Sequence, residues 1–324
     1  MQKQRKKPLR KISRRRTISF QEAFDDFMLF KTADGLAKRT LKDYRYHITK
    51  FFAWCDENRI DAWGDYDTLS KAVRAYFVQL VDCSPGYYNI ARQNIRAFFD
   101  WCVKHGILSK NPAGFLKKRR DDPKIRCVDM EDLKKFLALP DRNTYAGLRD
   151  YVIMLLMLDT GIRPGEALSL KPEDFDLRSR TITIPAENAK ARRSRTLPLS
   201  PVVCHQIISL LSIRPEEWPN NAPIFASYNG TRLRVDNLCS RFAKYSRLLG
   251  KKMTPYDLRH TFALTYLRRN GNVFSLQATL GHSDMNMTKR YLAIAGRDLK
   301  ESHEIASPIK QLVIGSRRMR KIKK

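Results

Sequence analysis

The sequence predicts a mainly α-helical protein with a helical N-terminal domain and a mixed, mostly helical second domain that contains a small antiparallel sheet. Apolar residues recur at helical spacing through residues 17–116. Residues 117–126 are charged, contain proline and lack any apolar period, so they indicate a linker. Residues 127–300 combine further helical patterns with two short segments typical of strands. A chain of 324 residues is long enough to give both domains a buried core.

In the first domain, four amphipathic segments predict four helices, and Thr40 is expected to cap the second of them. Their apolar positions run from Phe20 to Phe30, Leu41 to Cys55, Leu69 to Leu80 and Ile90 to Cys102. Lysines and arginines on the polar faces are usually only solvated, but together they could follow a DNA backbone. These DNA-binding candidates are Lys38, Arg39, Lys42, Arg45, Arg92 and Arg96.

In the second domain, Asp129 is expected to cap a helix, and the apolar segment Tyr151–Leu158 predicts the central helix of the core. Thr181–Ile184 and Thr196–Leu199 predict two strands joined by a polar hairpin. Further helices are predicted at about 202–212, 236–248, 257–270, 273–280 and 286–295.

The positive charge of the chain indicates a polyanionic partner. The chain contains 62 Lys+Arg against 33 Asp+Glu, a net charge of +29. Hydrophobic residues make up 43%, too many for a disordered basic protein, so we expect a folded protein that binds nucleic acid. The basic segment 1–16 is either a solvated tail or, as we favour, an arm that becomes ordered on phosphates.

Several other classes are not indicated. The six cysteines are scattered without a Cys-x-x-Cys pair, and neither a P-loop nor a dinucleotide-binding glycine pattern occurs. We therefore expect no metal and no cofactor. The chain has neither an apolar run of membrane-spanning length nor the apolar core of a signal peptide, which predicts a cytoplasmic protein without membrane contact.

Cleaving a phosphodiester without water or metal requires a nucleophile, a proton donor for the departing oxygen and positive groups on the non-bridging oxygens. Arg163 and Arg259 are candidates for the positive groups, because a guanidinium stays protonated and can donate two parallel hydrogen bonds. Arg163 follows a glycine turn after an apolar helix, and Arg259 lies near a predicted helix start. The alternative for each is an ordinary ion pair or a DNA-backbone contact.

Three stretches together resemble the three boxes of the tyrosine recombinases, or phage-integrase family, in order and in spacing. They are Thr160–Leu168, Tyr256–Phe262 and Leu280–Tyr291. The resemblance covers about residues 17–300. It implies that the first domain is a core-binding domain that clamps DNA and that the second is the catalytic domain.

The resemblance also implies roles for individual residues. Tyr291 matches the nucleophile that forms a 3′-phosphotyrosine, although alone it would be taken for a half-buried aromatic. His282, nine residues before it, matches a histidine that hydrogen-bonds the scissile phosphate. Glu166 matches an acidic residue that orients either neighbouring catalytic side chains or the backbone of the domain, without touching the phosphate.

Lys190 matches the hairpin lysine that serves as general acid for the leaving 5′-oxygen. Arg192 and Arg193 lie in the same hairpin, could be confused with it, and are further DNA-binding candidates.

One position departs from the family pattern. Tyr256 stands where the second box usually has histidine, and a phenol can donate a hydrogen bond to a phosphate but cannot act as an imidazole acid or base near neutral pH. His260, directly after Arg259, fits the trailing histidine of the box and is expected to be structural.

The hypothesis is therefore a site-specific DNA recombinase that assembles as a tetramer on double-stranded DNA, compatible with accessory DNA-bending proteins. Integration, excision, transposition and Xer-type resolution all remain open. The alternatives are a type IB topoisomerase-like relaxing enzyme and a catalytically silent DNA-binding protein. Residues 301–324 would form a C-terminal segment and basic tail that packs in cis or against a neighbouring subunit.

Overall fold

The structure is a computed structural model that describes residues 18–61, 63, 65–121, 125–189, 192–295 and 307. The chain divides between Pro123 and Lys124 into two units, at a point that falls inside the predicted linker. The predicted basic arm, the C-terminal tail and Lys190 lie outside the described residues.

The first unit consists of four helices around an aromatic core. The helices are α1 (Phe20–Ala33), α2 (Lys38–Glu57), α3 (Tyr66–Gln79) and α4 (Pro85–Lys104). Phe27, Phe51, Phe98 and Phe99 are fully buried, and their rings meet mostly edge to face. The helical stripes of the sequence thus form a core, as predicted.

The helices of this unit begin at polar caps, with one exception. Ser19 and Glu22 form a capping box at α1, and Ser84 caps α4 with Pro85 in its first turn. The prediction that Thr40 caps α2 is wrong, because α2 begins at Lys38 after Ala37, which provides no side-chain cap. Leu41, in the first turn, packs against the core, so burial of the apolar face extends the helix past the polar residue.

The second unit is a helical bundle with a three-stranded sheet, which confirms the predicted fold class. Its helices are α5 (Met130–Leu137), α6 (Tyr145–Thr160), α7 (Pro164–Ala167), α8 (Pro201–Ser212), α9 (Val235–Leu249), α10 (Pro255–Arg268), α11 (Val273–Leu280) and α12 (Met285–Ala295). A 3₁₀ turn at Pro172–Asp174 precedes the sheet.

The sheet is antiparallel, in the order β1 (Phe175–Asp176), β2 (Thr181–Ile184) and β3 (Arg195–Pro198). Both predicted strands are confirmed, whereas the two-residue β1 is too short to leave a periodic pattern. The register pairs Ile184 with Arg195, so β3 begins with an arginine at the end of the β2–β3 hairpin.

Helix α6 is the centre of the second unit. It packs against α8 and α10 and is apolar on almost every side, as expected for a helix enclosed by others. It ends at Gly161, whose φ of 64° lies in the left-handed region that favours glycine. This turn sends the chain directly to Arg163.

Helices α10, α11 and α12 form a smaller apolar cluster beside this core. Leu264, Leu267, Leu276 and Leu280 are fully buried there, and Tyr291 of α12 is buried with them. The cluster places the end of α11 and the tyrosine of α12 next to α10. Within the described residues, no helix is both long and apolar enough to cross a membrane.

Replacing Gly161 with alanine should destabilise the second unit far more than the same change at Gly250. Both glycines end helices at positive φ, 64° and 72°. A Cβ at position 161 would lie 2.4 Å from Phe262 and 2.8 Å from Leu280, whereas at position 250 it would meet nothing within 4 Å. We expect Gly250→Ala to lower the free energy of unfolding by about 1 kcal/mol, and Gly161→Ala by about 3 kcal/mol because overpacking adds to the backbone cost. Urea unfolding of the two variants measures the difference, and equal losses would contradict the crowding at Gly161.

Candidate active site

Three arginines converge on the C-terminal end of α11. Arg195, Arg259 and Arg163 donate hydrogen bonds to the carbonyl oxygens of residues 279–281, in that order, at 3.1, 2.9 and 3.0 Å. Carbonyls at the end of a helix lack partners within the helix and lie at the negative end of its dipole. The end of α11 therefore holds three cations that come from distant parts of the chain.

Glu166 links two of these arginines. One carboxylate oxygen accepts from Arg163 at 3.0 Å and the other from Arg195 at 2.5 Å. Burial alone would raise the pKa of Glu166, but the hydrogen bonds and charges of Arg195 and Arg163 outweigh burial and lower it. The carboxylate thus stays ionised and offsets part of the positive charge.

Arg259 is the most deeply buried of the three arginines, with 3% of its surface exposed. Its guanidinium also donates to the carbonyl oxygen of Gly161, which ties the end of α6 to α11. Burial, reinforced by the charge of Arg163, lowers the pKa of Arg259 to about 10, so the group is still charged at neutral pH. A buried cation in this setting strongly favours an incoming anion.

The ring of His282 lies between Arg259 and Thr288. Its Nε2 is 3.0 Å from Nη2 of Arg259, and its Nδ1 is 3.0 Å from the hydroxyl of Thr288. Because a guanidinium can only donate, Nε2 accepts and the proton of the neutral ring is on Nδ1. Burial and then the charges of Arg259 and Arg163 lower the pKa of His282 to about 4, which keeps the ring neutral.

Tyr291 is enclosed by two histidines. Its hydroxyl lies 2.7 Å from Nδ1 of His260, and its ring stacks on that of His282 with centroids 6.2 Å apart. Only 2% of the residue is exposed. Burial raises the pKa of Tyr291 despite the opposing charge of Arg259, so the phenol is protonated at neutral pH.

The structure brings together Arg163, Glu166, Arg259, His282 and Tyr291, all of which the sequence singled out. Tyr256 does not join their hydrogen-bond network. It is 50% exposed, and its ring centroid lies 6.4 Å from that of His260.

Sequence reasoning gave no role at this site to Arg195, Thr288 and His260, although each contacts one of the singled-out side chains. Arg195 begins β3 directly after the basic hairpin, and Thr288 lies three residues before Tyr291 on the same helix. These positions were visible in the sequence, but only the tertiary structure distinguishes them from their neighbours.

The remaining candidates in this unit lie in the hairpin. Arg192 and Arg193 are exposed. Arg193 lines an open cavity of about 540 Å³ together with Arg195, Phe274 and His282. The hairpin thus adds positive charge beside the buried network.

The DNA-binding candidates of the first unit fall into two groups. Lys38, Arg39, Lys42 and Arg45 are exposed and follow one face of α2. Those on α4 already make contacts within the unit: Arg92 and Arg96 are half-buried, Arg92 donates to the carbonyl of residue 116 at 2.8 Å, and Arg96 lies 3.7 Å from Asp100. The α2 candidates are thus the more exposed group, although Arg39 also lies 3.2 Å from Asp43.

Sequence comparison assigns the family. Residues 126–297 match the phage integrase family, and residues 23–107 match the phage integrase N-terminal SAM-like domain. The chain belongs to the phage integrase family of tyrosine recombinases, which confirms the resemblance seen in its three boxes.

Named relatives are recombinases of the Xer type. The chain is 28% identical over 280 residues to tyrosine recombinase XerC of Psychromonas ingrahamii, covering 85% of this chain and 92% of the relative. It is 25% identical over 301 residues to tyrosine recombinase XerA of Pyrococcus furiosus, covering 91% and 97%.

Two solved structures share the fold. A lambda integrase dimer bound to a core site superposes with a TM-score of 0.69 at 16% identity, covering 87% of this chain and 98% of that one. The XerH site-specific recombinase bound to its difH substrate gives a TM-score of 0.62 at 22% identity, covering 88% and 83%.

Glu166→Gln should destabilise the protein in a pH-dependent way. The lowered pKa means that the carboxylate stabilises the fold above its ordinary pKa and loses this contribution as the pH falls through the folded-state value. We expect the variant to lose about 3 kcal/mol at pH 7, because removing one member of a buried ion cluster leaves the others unpaired. The deficit should shrink between about pH 5 and pH 3.

Urea unfolding across this pH range measures the effect. The matched control is Glu173→Gln, since Glu173 makes an exposed ion pair with Lys171 and such pairs contribute little. A deficit that is equal at pH 7 and pH 3 would contradict the electrostatic role of Glu166.

Proposed function

We propose that the protein recombines duplex DNA at specific sites by cleaving and rejoining strands through a covalent bond to Tyr291. The observation that carries this proposal is the convergence of a phenol, a neutral imidazole and three guanidiniums at the end of α11. This set supplies a nucleophile together with positive charge for the phosphate oxygens. It contains no residue cluster of the kind that binds metal within the described part of the chain.

The substrate is double-stranded DNA. Support comes from the net charge of +29 and from the exposed basic face of α2. The lambda integrase and XerH neighbours are themselves bound to DNA sites. Phosphate contacts would dominate the affinity, which should therefore fall steeply with salt.

Cleavage begins when the Tyr291 oxygen attacks the scissile phosphorus. The phenol gives up its proton to a neighbouring base as its oxygen bonds to phosphorus, the bond to the 5′-oxygen breaks, and Lys190 gives that oxygen a proton. Arg163 and Arg259 hold the non-bridging oxygens, where negative charge gathers in the transition state. Glu166 keeps Arg163 oriented through their 3.0 Å contact.

The product is a 3′-phosphotyrosine and a free 5′-hydroxyl. Because the covalent link conserves the energy of the phosphodiester, a 5′-hydroxyl from a second strand can reverse the step and join new partners without a high-energy cofactor.

His282 has to change its hydrogen bonds to take part. Its Nε2 now accepts from Arg259, and its proton is on Nδ1. Contact with a phosphate oxygen requires the proton to move to Nε2 as the phosphate replaces the ring as partner of Arg259.

The nucleophile also has to be uncovered. With 2% of Tyr291 exposed, a phosphate reaches the hydroxyl only after the surroundings of α12 shift. Binding of DNA would drive this shift if the exposed state binds DNA more tightly than the closed one.

The active assembly is a tetramer on two DNA sites, which is the assembly that the family resemblance implies. It is compatible with accessory DNA-bending proteins and with a cytoplasmic location. Arg192, Arg193 and the basic face of α2 are the candidates for contacts with the DNA backbone.

A covalent-trapping assay tests the nucleophile. Supercoiled DNA carrying the sequences that flank the gene is mixed with the protein, the reaction is quenched in detergent, and the protein–DNA adduct is measured. We expect an adduct with the wild type, none with Tyr291→Phe, and an undiminished amount with the control Tyr228→Phe, which changes an exposed tyrosine. Both variants should bind the DNA as tightly as the wild type.

An adduct that survives in Tyr291→Phe would contradict the assignment. Binding without any adduct would favour the silent DNA-binding alternative. Relaxation of plasmids without strand exchange between two sites would favour the topoisomerase-like alternative.

A further inference from the structure

His260 contacts the nucleophile directly. It lies on α10 immediately after Arg259, and its Nδ1 is 2.7 Å from the Tyr291 hydroxyl. This distance is that of a well-formed hydrogen bond between a hydroxyl and a ring nitrogen. The contact joins α10 to α12 at the atom that would attack phosphorus.

Tyr291 needs a proton acceptor in order to attack. A phenol has an ordinary pKa of about 10, and burial raises the pKa of Tyr291 further. The phenolate is therefore rare at neutral pH, and the proton has to leave as the bond to phosphorus forms.

The other candidate acceptors are not suited to this task. The ring of His282 is stacked on that of Tyr291, and its nitrogens, which lie in the ring plane, contact Arg259 and Thr288 instead of the Tyr291 hydroxyl. Tyr256, at the position where the family resemblance implies a histidine, is itself a phenol and is half-exposed. Among these side chains, His260 alone combines the contact with the chemistry of a base.

We propose that His260 is the general base that removes the proton of Tyr291 during attack, in place of the second-box histidine that this chain lacks. The inference rests on the proposed function. In the forward step the O–H bond of Tyr291 breaks, the proton moves to Nδ1, and the phosphorus–oxygen bond forms. In the rejoining step the imidazolium returns the proton to the departing tyrosine oxygen.

Burial and the charges near His260 together determine whether its ring is protonated. Burial lowers the pKa of His260, Asp257 on the same helix raises it, and Arg259 lowers it. Tyr291 and His282 face the ring from the other elements packed on α10, and both are neutral in the resting state. The net result is a neutral ring at pH 7, ready to accept a proton, while Asp257 stabilises the imidazolium once it forms.

The test uses His260→Asn and His260→Ala. Asparagine places an amide oxygen near the position of Nδ1, so it can hold the tyrosine hydroxyl but cannot take its proton, whereas alanine does neither. Glutamine has a higher helix propensity than asparagine, so His260→Gln serves as the second variant if asparagine disturbs α10. Binding of site DNA and circular dichroism check that each variant is folded.

The measurement is the single-turnover rate of adduct formation on a nicked duplex that carries the mapped site. For the wild type we expect a rate that is level at neutral pH and falls only at a pH below the ordinary histidine value of about 6.5, because burial lowers the pKa of His260. His260→Asn, His260→Gln and His260→Ala should be about 10²–10³-fold slower at pH 7. Their rates should increase tenfold per pH unit, since only the ionised phenolate then attacks.

A substrate in which sulfur replaces the bridging 5′-oxygen distinguishes the loss of a general base from the loss of the general acid. A thiolate leaves without being protonated, so this substrate should restore the rate of Lys190→Ala but not that of His260→Asn. Rescue of His260→Asn by sulfur, or a rate within about threefold of the wild type with an unchanged pH profile, would overturn the proposal for His260 alone. Failure of the wild type to form any adduct would instead overturn the proposed function and this inference with it.

Discussion

The capping of α11 by Arg163, Arg195 and Arg259 is the interaction on which the site depends. Three like charges gathered in a buried space repel one another, and they are held there because each finds a carbonyl oxygen at the negative end of a helix. Hydrogen bonds from charged donors contribute about 1.5–3 kcal/mol each. The same bonds fix the turn after α11 and therefore the position of His282.

This cationic cluster divides the titratable groups into separate roles. It holds Glu166 ionised and, together with burial as the larger cause, lowers the pKa of His282 to about 4. His260 contacts the Tyr291 hydroxyl, and the charge of Asp257 on the same helix favours the protonated form of its ring. Different environments separate the pKa values of chemically similar groups. One site can therefore hold both a proton acceptor and groups whose charge is fixed.

The sequence predicted most of the helices, both longer strands and the residues of the three boxes, because apolar period and glycine turns are local signals. It could not predict that Arg195 contacts Glu166 or that Thr288 holds His282, since those contacts depend on strand register and helix packing. Backbone carbonyls have no signature in a sequence, so the capping of α11 was not predictable. His260 was assigned a structural role because the sequence does not show that it contacts Tyr291 of α12.

The three arginines also connect chemistry with the order in which the chain is made. Arg163 and its carbonyl partner are 118 residues apart, and Arg195 and its partner are 84 residues apart. During translation these arginines are therefore synthesised long before the turn after α11 that holds them in place. A nascent chain that has not yet reached α11 has the charge to adhere to DNA but has neither His282 nor Tyr291. The full set of side chains at this site thus exists only once translation has passed the last box.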